Sequence, residues 1–396
     1  MARGQTPKAQ AVAENSPSRT TRESHANAAK VKAERADSAV PAASSKLAVK
    51  KLKGDAPPAQ PPSAKAIDDE NQLLFFNTYD ESAKYGSQIY SCDMKTATWT
   101  KITKSIKYLS RPLGTPERER QLPSRFGGAM AFYKAKPSGQ RMLLLFGGQI
   151  DGTDEHFPGA VSNELIAVDL DAAKWWVVDV AGGPVTARVE AQLVVLDDQL
   201  FIFGGRTYEN SEFRPAEAYC VATLRNQQWT WDVRDAPYPP HVPALGPYCD
   251  ATSIRAGDAS KILLTVGNDK TTHLGPRAFV VFDPALRTFT PHASGSGTFP
   301  GNVTWFHIYE VPGSVKPNAA AVLCAFHAED AQLPELYVYS LPPHAGCAAL
   351  GLRKRIAEAK KTFELFAVVG ASMYLLGSTK DRWDIFAEVP MRWISG

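Results

Sequence analysis

Leu143-Leu144-Leu145-Phe146-Gly147-Gly148 and Leu200-Phe201-Ile202-Phe203-Gly204-Gly205 are two apolar runs that each end in a glycine pair. From the first pair the chain passes through polar residues into Leu165-Ile166-Ala167-Val168-Asp169 and reaches Trp175. From the second it runs through Glu217-Ala218-Tyr219-Cys220-Val221 to Trp229. A strand, a glycine pair, a loop, a strand and an aromatic, recurring about sixty residues apart, is a repeat signature. Glycines just past a strand let the backbone take positive φ and turn where a Cβ would not fit. The tryptophan supplies a rigid plate to fill the gap between one sheet and the next.

Weaker copies fall into the same register. Leu73-Leu74-Phe75-Phe76 is followed by Ser87-Gln88-Ile89-Tyr90-Ser91-Cys92-Asp93 and Trp99. Lys261-Ile262-Leu263-Leu264-Thr265-Val266-Gly267 leads to Ala278-Phe279-Val280-Val281-Phe282-Asp283 and Phe289. Ala321-Val322-Leu323-Cys324-Ala325-Phe326 pairs with Glu335-Leu336-Tyr337-Val338-Tyr339, and Met373-Tyr374-Leu375-Leu376-Gly377 leads through Trp383-Asp384-Ile385-Phe386 to Trp393. In three units the step from aspartate to aromatic is six residues: Asp93 to Trp99, Asp169 to Trp175, Asp283 to Phe289. That spacing implies one shared turn between the third and fourth strands.

A further strand precedes each of these. Arg125-Phe126-Gly127-Gly128-Ala129 aligns with Arg188-Val189-Glu190-Ala191-Gln192, and Tyr248-Cys249-Asp250, Asn302-Val303-Thr304 and Phe363-Glu364-Leu365 lie beneath them. Four short antiparallel strands per unit read as one propeller blade. The expectation is an all-β fold: a six-bladed β-propeller over residues 67–396, behind a disordered basic tail over 1–66. The last unit is expected to supply four strands by itself. The innermost strand of the first must come from residues before 68 or be missing.

These units resemble kelch repeats, whose blades carry an arginine before the first strand, a glycine pair after the second and an aromatic in the fourth. The match is full at Arg125, Gly147, Gly148 and Trp175, and again at Arg188, Gly204, Gly205 and Trp229. Asn77-Thr78, Ala325-Phe326 and Leu376-Gly377 stand where other units would carry the pair.

Composition bounds the rest. Residues 1–66 hold twelve Lys/Arg against five Asp/Glu and no Phe, Trp or Tyr, so the segment has little apolar surface to offset its ordering entropy. Lys46, Lys50, Lys51 and Lys53 are its densest charge, which suits either a solvated leader or a nuclear-import or nucleic-acid contact. There is no apolar run of membrane-spanning length and no secretory core near Met1, so a cytoplasmic or nuclear protein with no membrane contact is expected. Five cysteines without a CxxC pair read as reduced, packed thiols rather than zinc ligands. No nucleophile elbow, phosphate-cradling loop or HExxH occurs, so no catalytic residue, metal or cofactor is assigned.

The functional surface is then expected at one mouth of the ring, where loops converge on a rigid scaffold. The kelch resemblance implies that Arg125 and Arg188 line it, with Tyr248 and Asn302 in the equivalent slots of later blades. Arg206, directly after a glycine pair, is grouped with them. Guanidinium groups suit an acidic protein or peptide partner. The competing reading makes Arg125 and Arg188 salt bridges between blades. A scaffold or adaptor role follows, with a carbohydrate-active or small-molecule enzyme on the same fold as the alternative. The tyrosine, histidine and cysteine set of galactose-oxidase-like copper sites has no counterpart here. His307 and His327, on neighbouring strands, are the one histidine pair placed to approach each other.

Overall fold

The computed structural model describes residues 49–58, 64–78, 87–109, 122–123, 125–150, 160–209, 212–242, 245, 249–256, 259–265, 278–293, 303–310, 319–327, 330–340, 346–349, 365–369, 372–379 and 382–390. Two short strands come first, β1 (Val49–Lys51) and β2 (Lys53–Gly54). The first meander is β3 (Ala64–Asp68), β4 (Leu73–Thr78), β5 (Gln88–Asp93) and β6 (Thr98–Lys101). After β7 (Lys107–Tyr108), the second is β8 (Ala129–Lys134), β9 (Arg141–Phe146), β10 (Leu165–Asp169) and β11 (Lys174–Val178). The third begins with β12 (Gln192–Leu196) and β13 (Gln199–Phe203). A separate ribbon, β14 (Arg206–Glu209) with β15 (Glu212–Pro215), precedes its last strands, β16 (Ala218–Arg225) and β17 (Gln228–Pro237). The fourth is β18 (Ala251–Ala256), β19 (Ala259–Thr265), β20 (Ala278–Asp283) and β21 (Thr288–Ala293). The fifth is β22 (Val303–Glu310), β23 (Ala319–His327), β24 (Asp330–Ser340) and β25 (Gly346–Ala349). The chain closes with β26 (Leu365–Val369), β27 (Ser372–Thr379) and β28 (Arg382–Pro390).

These sheets form an all-β propeller. Five blades are complete meanders of successive strands, where the sequence led us to expect six. The last sheet is composite: β26, β27 and β28 are joined by β1, which pairs antiparallel with β28 at Val49↔Ala387, Lys50↔Phe386 and Lys51↔Ile385. β28 has a free outer edge after β27 is paired, and the N-terminal strand fills it. Trp393, expected to mark a fourth strand there, lies outside the described residues. The innermost strand of the first blade does come from before residue 68, as Ala64–Asp68. Paired strands therefore begin at Val49, well inside the segment expected to be a tail; residues 1–48 lie outside the described residues.

The hydrophobic cores lie between sheets, as a propeller requires. Leu74, Phe76, Trp99, Tyr374, Trp383 and Phe386 form one between the first blade and the composite sheet. Leu144, Phe146, Leu200, Ile202 and Trp229 form another between the second and third blades. Phe201, Phe203, Leu264 and Phe282 form a third between the third and fourth. Innermost strands pack in sequence, β3 on β8, β8 on β12, β12 on β18, β18 on β22 and β22 on β26, and β26 packs against β4 of the first blade.

Two local devices recur. Asp93 Oδ1 accepts the amides of Lys95 and Thr96, Asp169 Oδ1 those of Asp171 and Ala172, and Asp283 Oδ1 those of Ala285 and Leu286. Four residues after each aspartate the backbone is left-handed, at Ala97, Ala173 and Arg287 (φ 57, 52 and 54°). Two residues further on, Trp99, Trp175 and Phe289 enter the core. The six-residue spacing is thus a side-chain-capped turn. The third blade departs from it because Asn226 and Gln227, both at positive φ, make a two-residue hairpin turn there instead. Secondly, the segment ahead of a blade runs parallel along that blade's outer strand: β2 on β6, β7 on β11, and Ala181 on Thr230 of β17. Each strap covers an edge that would otherwise be open. Among the described residues the only helical element is a 3-10 turn, Ile102–Lys104, and no helix is long and apolar enough to cross a membrane.

Candidate functional site on the glycine-pair face

Antiparallel register puts the start of each innermost strand beside the end of the next. Ala129 lies opposite Phe146 and Gln192 opposite Phe203, so Arg125 and Arg188 share a face with the two glycine pairs. Gly147 and Gly148 have φ of 67 and 87°, and Gly204 and Gly205 of 57 and 85°. The freedom is used for close backbone approach. A Cβ on Gly147 would stand 2.4 Å from the Arg188 carbonyl oxygen, and one on Gly205 would stand 2.6 Å from that of Val189. Gly148 N–H donates to Arg188 O at 2.8 Å, and Arg188 N–H to Ser162 O at 3.2 Å. The first pair is therefore the seat on which the next blade begins.

The guanidinium groups point inward. Arg125 is 2% exposed and ion-paired with Glu164, and its Nη1 donates to the Gly147 carbonyl at 3.4 Å. Burial pulls its pKa below the ordinary arginine value, and Glu164 opposes that pull. Arg188 is 1% exposed. It donates to Asp235 Oδ1 at 2.6 Å, to Ala218 O at 2.7 Å and to Gly204 O at 3.4 Å. Burial pushes the Asp235 carboxyl up, but the Thr186 amide and the Arg188 guanidinium outweigh it and hold the pKa below the usual carboxylate range. Both ion pairs lie within a single blade, so neither arginine braces one blade to another through its side chain. Each ties the first glycine of its own blade to the strands outside it.

Arg206 lies differently. It pairs with Glu190 at 2.6 Å, keeps 28% of its side-chain surface, and stacks over Phe213 at 4.9 Å. It opens the β14–β15 ribbon, in which Tyr208 and Phe213 lie opposite each other with ring centroids 5.1 Å apart. Tyr208 is exposed, and so is Phe126, which is 50% exposed beside Arg125. The patches are linked at their base: Glu190 N–H donates to Gly127 O at 2.6 Å, and its carboxylate holds Arg206. An exposed aromatic, a stacked arginine and a projecting hairpin thus occupy the face where the sequence placed the arginines. Tyr248 and Asn302 lie outside the described residues.

Further titratable groups meet at the innermost strands. Asp250, just before β18, lies 3.4 Å from His307 Nδ1 of β22 and accepts the Ile308 amide at 2.9 Å, joining the fourth and fifth blades. Lys65 of β3 places its Nζ 4.5 Å from the Tyr309 ring centroid. Burial pushes the His307 pKa down and Lys65 adds to this, against the pull of Asp250. The strand register sets His307 opposite Cys324 and His327 opposite Val303, so the two histidines are not directly cross-strand positions. Among the described residues no group of three His, Cys, Asp or Glu is arranged to hold a metal ion.

The carboxylates facing the arginines were not legible in the sequence because they share no position. Glu164 precedes a third strand, whereas Asp235 lies on a fourth. The ribbon left a trace, the alternation of Arg206-Thr207-Tyr208 and Phe213-Arg214 around Glu209-Asn210-Ser211. No protein-family profile matches the chain, and no curated protein matches it significantly.

Proposed function

We propose that this chain is a kelch-type propeller that acts as a protein-interaction scaffold. Its partner would dock on the glycine-pair face of the second and third blades. The observation that carries this reading is the cluster of Phe126, Tyr208 and Phe213-stacked Arg206 on that face. Aromatic and arginine side chains held on a rigid frame are the residue types that dominate protein interfaces. The partner is a protein or peptide with an apolar anchor. An acidic group beside that anchor suits Arg206, whereas Arg125 and Arg188 are already matched by their own carboxylates. A cytoplasmic or nuclear setting accords with the role, and a nucleic-acid contact through the basic segment 1–66, densest at Lys46 to Lys53, is a further reading. The test is affinity capture with the full chain and with a Phe126→Ser/Tyr208→Ser double variant of unchanged melting temperature. A set of proteins retained by the wild type and lost from the variant supports the reading; identical sets overturn it.

A second reading, a small-molecule or carbohydrate-active enzyme, is favoured by one observation: Asp250, His307, Lys65 and Tyr309 converge at the innermost strands. An aspartate on Nδ1 orients an imidazole so that a neutral Nε2 can accept a proton. A turnover found on screening glycosides and sugar acids, and lost in His307→Gln, would select this reading over the scaffold.

A further inference from the structure

The seam where the ring closes contains a shallow pocket of about 290 Å³, just below the usual range for drug-sized ligands. Its charged walls come from three separated stretches: Asp55 from the N-terminal strap, Lys101 and Lys104 from the end of the first blade, and Arg382 from the composite sheet. Tyr90, with Ala56 and Pro58, forms the apolar wall.

Three cations therefore face one carboxylate. Asp55 is matched by Lys104 at 2.7 Å. That hydrogen bond holds its carboxyl below the usual range, and the charges of Lys101 and Arg382 act on it in the same direction. Lys101 places its ammonium 5.7 Å from the Tyr90 ring centroid. Among the described residues neither Lys101 nor Arg382 has an ion pair. Two positive charges are left over in one concave site.

The backbone around the pocket is fixed rather than merely adjacent. Asp55 N–H donates to Trp99 O at 3.1 Å, Trp383 N–H donates to Pro57 O at 3.2 Å, and Pro58 and Arg382 form a bridge. Backbone pairing thus holds the attachment points of Asp55, Lys101 and Arg382 on both sides of the seam, and Lys104 follows on the 3-10 turn after β6.

We propose that this pocket binds a small phosphate monoester. A phosphate monoester carries roughly −1.5 to −2 charge at neutral pH, which the two unmatched cations balance. The planar fork of Arg382 offers two parallel donors to its oxygens, and Lys101 adds a point charge. Tyr90, Ala56 and Pro58 would meet the organic part of the ligand. The site lies apart from the glycine-pair face, so it stands or falls independently of the scaffold reading. A ligand bound across the seam favours the closed ring by mass action.

The test uses the full chain with inorganic phosphate and phenyl phosphate as probes, against sodium chloride at matched ionic strength. Calorimetric titration should give saturable binding for both, tighter for phenyl phosphate because only it reaches the apolar wall. Both should raise the melting temperature. Arg382→Gln and Lys101→Gln, each changing a side chain outside any ion pair, should each weaken binding at least fivefold while leaving the ligand-free melt within a few degrees. No saturable binding, or binding unaltered in both variants, would overturn the proposal. So would equal affinity for sodium benzoate and phenyl phosphate, since the phosphoryl group would then not be what is recognised.

Discussion

At the residue scale the arginines carry the sharpest consequence. Arg188 is buried against Asp235 and two carbonyls, so Arg188→Ala leaves a half-buried carboxylate and two acceptors without their donor. Breaking one side of a buried pair is costly, and we expect a loss of about 3 kcal/mol in denaturant unfolding. An unchanged midpoint would refute the role of Arg188 in tying Gly204 to the outer strands of its own blade. The pH dependence has a definite sign. The folded Asp235 pKa lies below its ordinary value, so the pair stabilises fully above about pH 4 and fades as pH falls below that. The difference between wild type and Arg188→Ala should therefore shrink in acid. Glycine positions show what was legible beforehand: Gly147 and Gly205 stood out as repeat residues because nothing larger fits. Gly147→Ala combines a left-handed φ with a carbonyl 2.4 Å from the new Cβ and should cost more than about 2 kcal/mol. The carboxylates opposite Arg125 and Arg188 were not legible, because a burial partner can come from any strand that passes close enough.

At the element scale the capped turn and the strap behave differently. The turn was readable from spacing alone, since an aspartate bonding two amides fixes how many residues precede the next aromatic. Asp93→Ala should cost about 1 kcal/mol, like the loss of a helix cap, with Asp93→Asn retaining most of it in thermal melts. The strap was not readable. Val49-Lys50-Lys51 has no apolar alternation, and its pairing with β28 depends on an edge hundreds of residues away. Charge there looks like tail composition, although lysines are ordinary residues for an outermost strand. A chain starting at Ser45 should melt with the full-length protein. One starting at Ala66 loses β1, β2 and part of β3, and should melt well below it or fail to stay soluble. Equal melts for the two would mean that the N-terminal strands contribute nothing to closure.

For the whole molecule, closure is set at the seam. The core between the first blade and the composite sheet is as dry as the others, with Trp99 and Trp383 each 1% exposed. Cys92 lies in it, and Cys220 and Cys249 lie in the cores on either side of the third blade. Burial pushes all three thiols up, Cys220 and Cys249 to about 12. They should resist a maleimide until the ring opens, so their labelling rate measures opening; rapid labelling of the native protein would contradict the packing. The strap also sets a clock on biosynthesis. Lys51 leaves the ribosome long before its partner Ile385. At translation speeds of about 5–20 residues per second, the wait is roughly 15–70 seconds. Throughout that interval the nascent protein is an unclosed arc, and the exposed Lys50 and Lys51 put charge on β1 while the place beside it is still vacant, which disfavours pairing with a foreign strand.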